Sequence, residues 1–329
     1  MTDCFVHPYT KKVLEKDVKG NLFGLEGNRC DVYKCYEGCY DFANAIPSVK
    51  EKRKVYDETY THAKKYELTL AAIAEPWFDR MKPWYKTMLK SLGSLSGRRV
   101  LLLGNGVSHR EFYFLHLGAR VVFTDLSLIA VMHAQATFRR SELFGMHRGN
   151  IEFHAVDAMH MPFPDAAFDV IYGTKFVGFV DNLPDFFSEV SRCLRPGGIC
   201  RFTDDAYSPT WNAIRRTISE PTKARFFWKS MSDLAKIRSG GSPFGSFGFA
   251  EESVTMFVQQ FGFARLVFIR EFFFLRLAEL LWGKLVRFDS KRLKYARPLY
   301  LMGKWIDNRL ARTEWMRRNR LALTWGFDK

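Results

Sequence analysis

The chain of 329 residues is short of several things, and each shortage excludes a class of protein. It has 6 cysteines (Cys4, Cys30, Cys35, Cys39, Cys193 and Cys200), too few and too unevenly spaced for a disulfide framework. They suit a reducing compartment, so a cytoplasmic protein is expected. No uncharged apolar run approaches the ~18 residues that a membrane-spanning helix needs. The first residues, "MTDCFVHPYTKKVLEKD", lack the apolar stretch of a secretory signal. No internal repeat is present, which removes solenoids and propellers. There is no GxxxxGK[ST] phosphate loop. Where a nicotinamide-binding GxGxxG turn carries its third glycine, "GNGVSH" has His109.

Positive charge is plentiful but unevenly placed. The net charge is +15. Residues 1–97 carry 16 Lys and Arg against 13 Asp and Glu, and residues 98–275 carry 20 against 17. Residues 276–329 carry 14 against 5, so the basic character belongs to the tail. An enzyme of nucleic acid is more often basic around its catalytic face, which counts against a nucleic-acid partner.

What is abundant is apolar and aromatic: 47% hydrophobic residues and 31 Phe, enough for a full core. Residues 98–202 alternate between two patterns. "RRVLLLG", "ARVVFTD", "IEFHAVD", "FDVIYG" and "ICRFTD" are continuous apolar runs, fit for strands buried on both faces. Between them "SHREFYFLHLG", "SLIAVMHAQATFRRSELFG" and "NLPDFFSEVSRCLRPGG" read as helices, with Ser127 a candidate N-cap. Strands separated by helices imply right-handed crossovers, hence an α/β fold with a doubly wound, mostly parallel sheet. Four segments follow: 1–50, a small turn-rich appendage; 51–97, a helical cap; 98–275, the sheet domain with a cover over 205–250; and 276–329, a basic helical tail.

The first apolar run ends in Gly104-Asn105-Gly106. Glycines there let backbone approach a ligand closely, although such turns also occur as plain tight turns. Asp125 ends the second run, 19 positions after Gly106, where a carboxylate can accept both hydroxyls of a ribose. Asp157 ends the third, followed by Ala158 and Met159, where it can receive an adenine amino group beside a small residue. Either aspartate alone can be an ordinary strand-end cap. Together at successive strand ends they define one edge of the sheet as a site for an adenosine ligand without a pyrophosphate.

"VLLLGNGVS", "VVFTDLS", "VDAMHMPFPDAAFDVIYG" and "LRPGGICRFTD" resemble the successive motifs of class I S-adenosylmethionine-dependent methyltransferases, in the branch of ubiquinone and menaquinone biosynthesis. The likeness covers about residues 98–205, and more loosely to about 275. It implies a Rossmann-like fold and S-adenosylmethionine as cofactor. Gly104, Asn105 and Gly106 would bracket its methionine part, Asp125 and Leu126 its ribose, and Asp157, Ala158 and Met159 its adenine, with Thr174 nearby. Asn105 and Ser108 depart from the GxGxG pattern. "YDETYTHAKKYE" resembles the segment lying over the cofactor, which brings in Tyr56 and Tyr60; the alternative is two ordinary packing tyrosines.

Segment 1–50 is similar to small zinc-ribbon-like domains fused to some methyltransferases. His7-Pro8-Tyr9-Thr10 stands where a cysteine pair should be, and Cys30, Cys35 and Cys39 do not repeat CxxC. A degenerate version with no metal is therefore expected.

Methyl transfer to oxygen or nitrogen usually needs a proton removed. The candidates beyond strands four and five are Lys175, Asp204, Asp205 and Tyr207, with His109 and Arg110 after the glycine turn. The cover offers Trp211, Phe226, Phe227 and Trp228 beside Arg215, Arg216 and Arg225. That mixture suits a small-molecule or lipid-like acceptor with an apolar body and an anionic group. In the tail, Leu299, Met302, Ile306 and Leu310 fall on one helical stripe. The stripe can pack on the domain, on a second subunit in a homodimer, or on an anionic membrane surface.

Overall fold

A computed structural model describes residues 4–8, 10–16, 22–24, 33–34, 39–61, 83–106, 110–174, 176–205, 259–261, 263, 265–270, 274, 297–310, 313–319 and 322–329. The chain divides into two compact units. The first comprises 1–202, 255–267 and 325–329, and the second 203–254 and 268–324.

In the first unit, β1 (Phe5–Val6), β2 (Val13–Lys16) and β3 (Leu22–Gly24) form a small antiparallel sheet. Next come β4 (Tyr33–Lys34), β5 (Tyr40–Asp41), α1 (Lys50–Thr61) and α2 (Pro83–Leu92). The expected alternation then appears: β6 (Arg99–Leu103), α3 (Tyr113–His116), β7 (Arg120–Asp125), α4 (Leu128–Arg139), α5 (Leu143–His147), β8 (Ile151–Ala155), β9 (Phe168–Thr174), α6 (Leu183–Cys193) and β10 (Leu194–Asp205). Later come β11 (Arg265–Arg270), α7 (Arg297–Leu310), α8 (Glu314–Asn319) and β12 (Ala322–Asp328). The main sheet has nine strands in the order β11-β12-β10-β9-β6-β7-β8-β5-β4. Pairs β6–β7, β7–β8, β6–β9 and β5–β8 are parallel. This is the doubly wound α/β sheet that the apolar runs imply.

Local sequence accounts for the frame. Val100–Leu103 are all buried, as a central parallel strand requires. Ser127 caps α4 by accepting the Ala130 N–H (3.1 Å). Asn182 caps α6 by accepting the Asp185 N–H (3.3 Å), with Pro184 in the first turn where its missing donor costs nothing. The expected helix over 127–145 breaks into α4 and α5 at Arg140–Glu142, and that over 108–118 contracts to a single turn, α3, preceded by a 3-10 turn.

Two edges of the sheet come from outside the alternating region. Strand β5 pairs beside β8, with its Tyr40 N–H donating to Nδ1 of the buried His154 (3.2 Å). The ring must therefore carry its proton on Nε2, which faces Glu152 (3.2 Å). At the other side β12 lies between β10 and β11. The helices of the tail are thus followed by a strand that the helical reading of 276–329 does not include. Arg201, 2% exposed, holds it there, donating to the carbonyls of Cys200 (2.8 Å) and Phe327 (3.1 Å) and to Asp328 (2.9 Å).

In the second unit, α7 turns apolar side chains outward. Leu301, Met302 and Trp305 are 52%, 53% and 65% exposed, while Asp307 is buried and accepts the Phe274 N–H (2.9 Å). Of the stripe Leu299-Met302-Ile306-Leu310, Met302 is exposed, Ile306 and Leu310 are half-buried, and the Leu299 side chain lies outside the described residues.

Candidate functional site

Strand order places a switch point at β6, from which the chain winds to β7 and β8 on one side and to β9 on the other. Crevices at such points, beyond the C-terminal ends of the strands, are where this fold binds ligands. Just past β6, Gly104 and Gly106 have φ of 61° and 56°. An L side chain in that region costs about 1–2 kcal/mol. A Cβ on Gly104 would overlap the Phe176 ring, and one on Gly106 would stand 2.6 Å from Tyr60 Oη. Between them Asn105 is 6% exposed, and neither polar atom of its side chain has a hydrogen-bond partner among the described residues. A buried amide left unsatisfied is uncommon and fits a turn that completes its bonding on a ligand.

Asp125 ties this turn to the end of β7. Its Oδ2 accepts the Gly106 N–H (2.7 Å) and its Oδ1 the Ser127 N–H (2.9 Å). Burial pushes its pKa up to about 6, against the pull of the Ser127 and Gly106 donors. At neutral pH it is an ionised acceptor. At the end of β8, Asp157 is 5% exposed, and it accepts from the Met159 N–H (3.2 Å) and faces His160 Nδ1 (2.6 Å).

These groups border one cavity of about 150 Å³. Of the residues picked out from the sequence, Gly104, Asp125, Leu126, Asp157, Ala158, Met159, Tyr56 and Tyr60 line it. Asn105 and Gly106 belong to the adjoining turn, and the Thr174 hydroxyl is engaged with Tyr172 Oη (2.7 Å). Thr124, from the motif "VVFTDLS", lines it too, as do Lys52, Phe176, Phe179 and Val180, which carry no motif that would have revealed them. A larger cavity of about 280 Å³ opens at the opposite ends of the strands, among Arg99, Arg120, Glu152, Asp169 and Arg195. Arg195 there pairs with Asp169.

Helix α1 brings Lys52, Tyr56 and Tyr60 to the cavity and buries no residue fully. Polar bonds hold it. Lys52 donates to the Phe179 carbonyl (2.5 Å) and Asp181 (2.7 Å), and Arg53 grips both oxygens of Asp41 (2.9 and 2.6 Å). Asp57 accepts from the Ser127 hydroxyl (2.5 Å). The Tyr60 phenol has its pKa raised by burial and then by the Asp125 charge, so it stays a proton donor. Tyr60 and Phe176 lie against the glycine turn.

Lys175, Tyr207, His109 and the cover over 206–250 lie outside the described residues, as do the side chains of Arg110, Asp204 and Asp205. In the N-terminal segment Cys30 and Cys35 also lie outside them, and no group of metal-ligating side chains occurs among the described residues.

A doubly wound sheet whose switch point carries a glycine turn and two successive strand-end carboxylates defines an adenosine-binding α/β domain. Residues 101–202 match the family Methyltransf_11, described as "Methyltransferase domain". That stretch is thus similar to methyltransferase domains. Among curated proteins, the chain is 28% identical over 167 residues to phosphoethanolamine N-methyltransferase 3 of Arabidopsis thaliana, covering 50% of this chain and 31% of that protein. It is 27% identical over 156 residues to demethylmenaquinone methyltransferase of Tropheryma whipplei, covering 46% and 59%. The aligned part is thus less than two thirds of either relative's length. A solved structure of phosphoethanolamine N-methyltransferase 2 of Haemonchus contortus, in complex with S-adenosyl-L-methionine, shares the fold. Its TM-score is 0.50 at 14% identity, over 83% of this chain and 60% of that one.

Proposed function

We propose that this protein transfers a methyl group from S-adenosylmethionine to a small-molecule or lipid-like acceptor bearing an anionic group. The observation that carries the reading is the convergence of the glycine turn, Asp125 and Asp157 on one cavity at the switch point. Bound there, the cofactor supplies an electrophilic methyl on a sulfonium. Asp125 accepts the ribose hydroxyls, Asp157 takes the adenine amino group beside Ala158, and Asn105 bonds the amino-acid end. Helix α1 closes over the site and excludes water, and Tyr60 remains a protonated donor beside Asp125. One of Asp204, Asp205, Tyr207 or Lys175 takes the acceptor's proton as the nucleophile aligns with methyl and sulfur.

The anionic acceptor is supported by the arginines among the aromatics of 205–250, and by a curated relative named for phosphoethanolamine. For the tail, the outward Leu301, Met302 and Trp305 on a segment with 14 basic against 5 acidic residues favour an anionic lipid surface. Two such tails would repel each other across a homodimer interface. Co-sedimentation with phosphatidylglycerol vesicles, lost in Trp305→Ala/Met302→Ala, tests the contact; equal binding by the variant refutes it.

Titration calorimetry with S-adenosylhomocysteine tests the cofactor. No binding by the pure protein sinks the reading. Extract fractions incubated with methyl-labelled cofactor then test the acceptor. Label confined to neutral or cationic molecules overturns the anionic group, label in RNA overturns the substrate class, and binding without turnover leaves a cofactor-binding scaffold.

A further inference from the structure

Asp157 is held from two sides. Its Oδ1 accepts the Met159 N–H (3.2 Å), and its Oδ2 lies 2.6 Å from His160 Nδ1. The His160 N–H donates in turn to the Asp157 carbonyl (3.0 Å), closing a tight turn beyond β8. Asp157 and Met159 line the cavity; His160 does not, and its side chain is 24% exposed. An ionised carboxylate can only accept, so the short contact requires the proton on Nδ1. Three charged groups face the imidazole: Asp157 itself, Lys11 from the turn between β1 and β2, and Glu189 from α6. The bond to Asp157 favours its charged form, as do the two carboxylate charges, while burial and then Lys11 oppose it. Lys11 is itself tied to Glu189 (2.6 Å), which limits that opposition.

We propose that His160 is a positioning residue for recognition of the purine: by pinning Asp157 it makes the carboxylate a fixed acceptor that selects a 6-amino over a 6-oxo base. The inference rests on the S-adenosylmethionine reading of the cavity. Its physical content is rotational. A carboxylate bonded at one oxygen can turn about its Cβ–Cγ bond and follow a donor. One bonded at both oxygens keeps its remaining lone pairs where they are. Adenine offers a donor at position 6. Hypoxanthine offers a carbonyl there and moves its donor to the adjacent ring nitrogen, so a pinned carboxylate meets oxygen with oxygen while a free one can shift to the ring N–H.

The test compares S-adenosylhomocysteine with S-inosylhomocysteine by calorimetry on the full-length chain, for wild type, His160→Leu and His160→Asn. The Asn amide can donate from about the position of Nδ1. Wild type should prefer the adenosyl ligand by about tenfold or more, the range of one hydrogen bond to a charged group. His160→Leu should lose most of that preference, mainly by weaker binding of the adenosyl ligand, and His160→Asn should restore it. A merely structural role would weaken both ligands alike. An unchanged adenosyl-to-inosyl ratio in His160→Leu overturns the proposal and leaves the cofactor reading standing. A wild type that binds neither ligand overturns both. If His160→Leu does not fold, His160→Ala, which likewise removes the donor, takes its place with the same two outcomes.

Discussion

The substitution Asp125→Asn separates what the site does from what the fold needs. Asp125 is 6% exposed, and burial lifts its pKa from 3.8 to about 6. At 1.36 kcal/mol per unit, holding that carboxylate ionised at neutral pH costs the native state about 3 kcal/mol. Asparagine removes the cost. Its amide oxygen can keep one of the two backbone donors, Gly106 or Ser127, but its NH₂ then faces the other, and an unpaired buried N–H costs about 1–3 kcal/mol. The two effects nearly cancel, so the unfolding free energy should stay within about 2 kcal/mol of wild type. Binding has no such compensation. Hydrogen bonds to a charged acceptor contribute about 1.5–3 kcal/mol each, so losing one or both ribose contacts should weaken S-adenosylhomocysteine by about 10-fold to 1,000-fold or more. The pH dependence follows with opposite signs. Between the unfolded pKa of 3.8 and about 6 the native state binds the extra proton, so this group's contribution to unliganded stability rises as pH falls through about 6. Affinity for the ligand should fall over the same step. Urea melts and calorimetry at pH 7.5 and 5 measure both, and Asp125→Asn should show neither Asp125-linked trend. Wild-type affinity that is flat from pH 7.5 to 5, or a variant that binds as tightly as wild type, refutes the assignment of Asp125.

Four further outcomes are expected. Gly106→Ala puts a side chain at φ 56° and against Tyr60 Oη; it should cost about 1–2 kcal/mol in urea melts and weaken the ligand by displacing the turn. Phe176→Ala clears the ring from Gly104 and should speed ligand association in stopped-flow fluorescence; an unchanged rate would mean that the ring does not gate the turn. Arg201→Ala leaves the carbonyls of Cys200 and Phe327 without their donor; it should lower stability by about 3 kcal/mol and expose the C-terminus to carboxypeptidase. His154 has its pKa lowered by burial, so the unfolded chain binds its proton more readily and stability falls as pH drops below the unfolded value of 6.5. Since protonation takes Nδ1 from the Tyr40 N–H, hydrogen exchange at Tyr40 should accelerate there, and a rate that only follows global unfolding would remove His154 as the cause.

The frame of the domain is legible along the chain because its signals are local. Five apolar runs, the cap at Ser127, and the glycines after β6 each lie within a dozen residues of what they control. The end of an alternating run also says which edge of a parallel sheet a residue occupies, so Asp125 and Asp157 could be assigned to one edge without coordinates. What tertiary structure alone decided depends on contacts between distant segments. No periodicity in "CYDF" announces that Tyr40 and Asp41 extend the sheet beside His154 and Ala155, and none in "LTWGFD" announces that β12 enters beside β10. Those pairings are made by backbone groups and by buried side chains such as Arg201, which read as ordinary polar residues in a strand. The same holds at the cavity, where Lys52 and Phe176 join the predicted residues only through the packing of α1 and the loop after β9. The setting of α7 was likewise beyond the hydrophobic stripe, since its buried Asp307 accepts the Phe274 N–H from a distant segment.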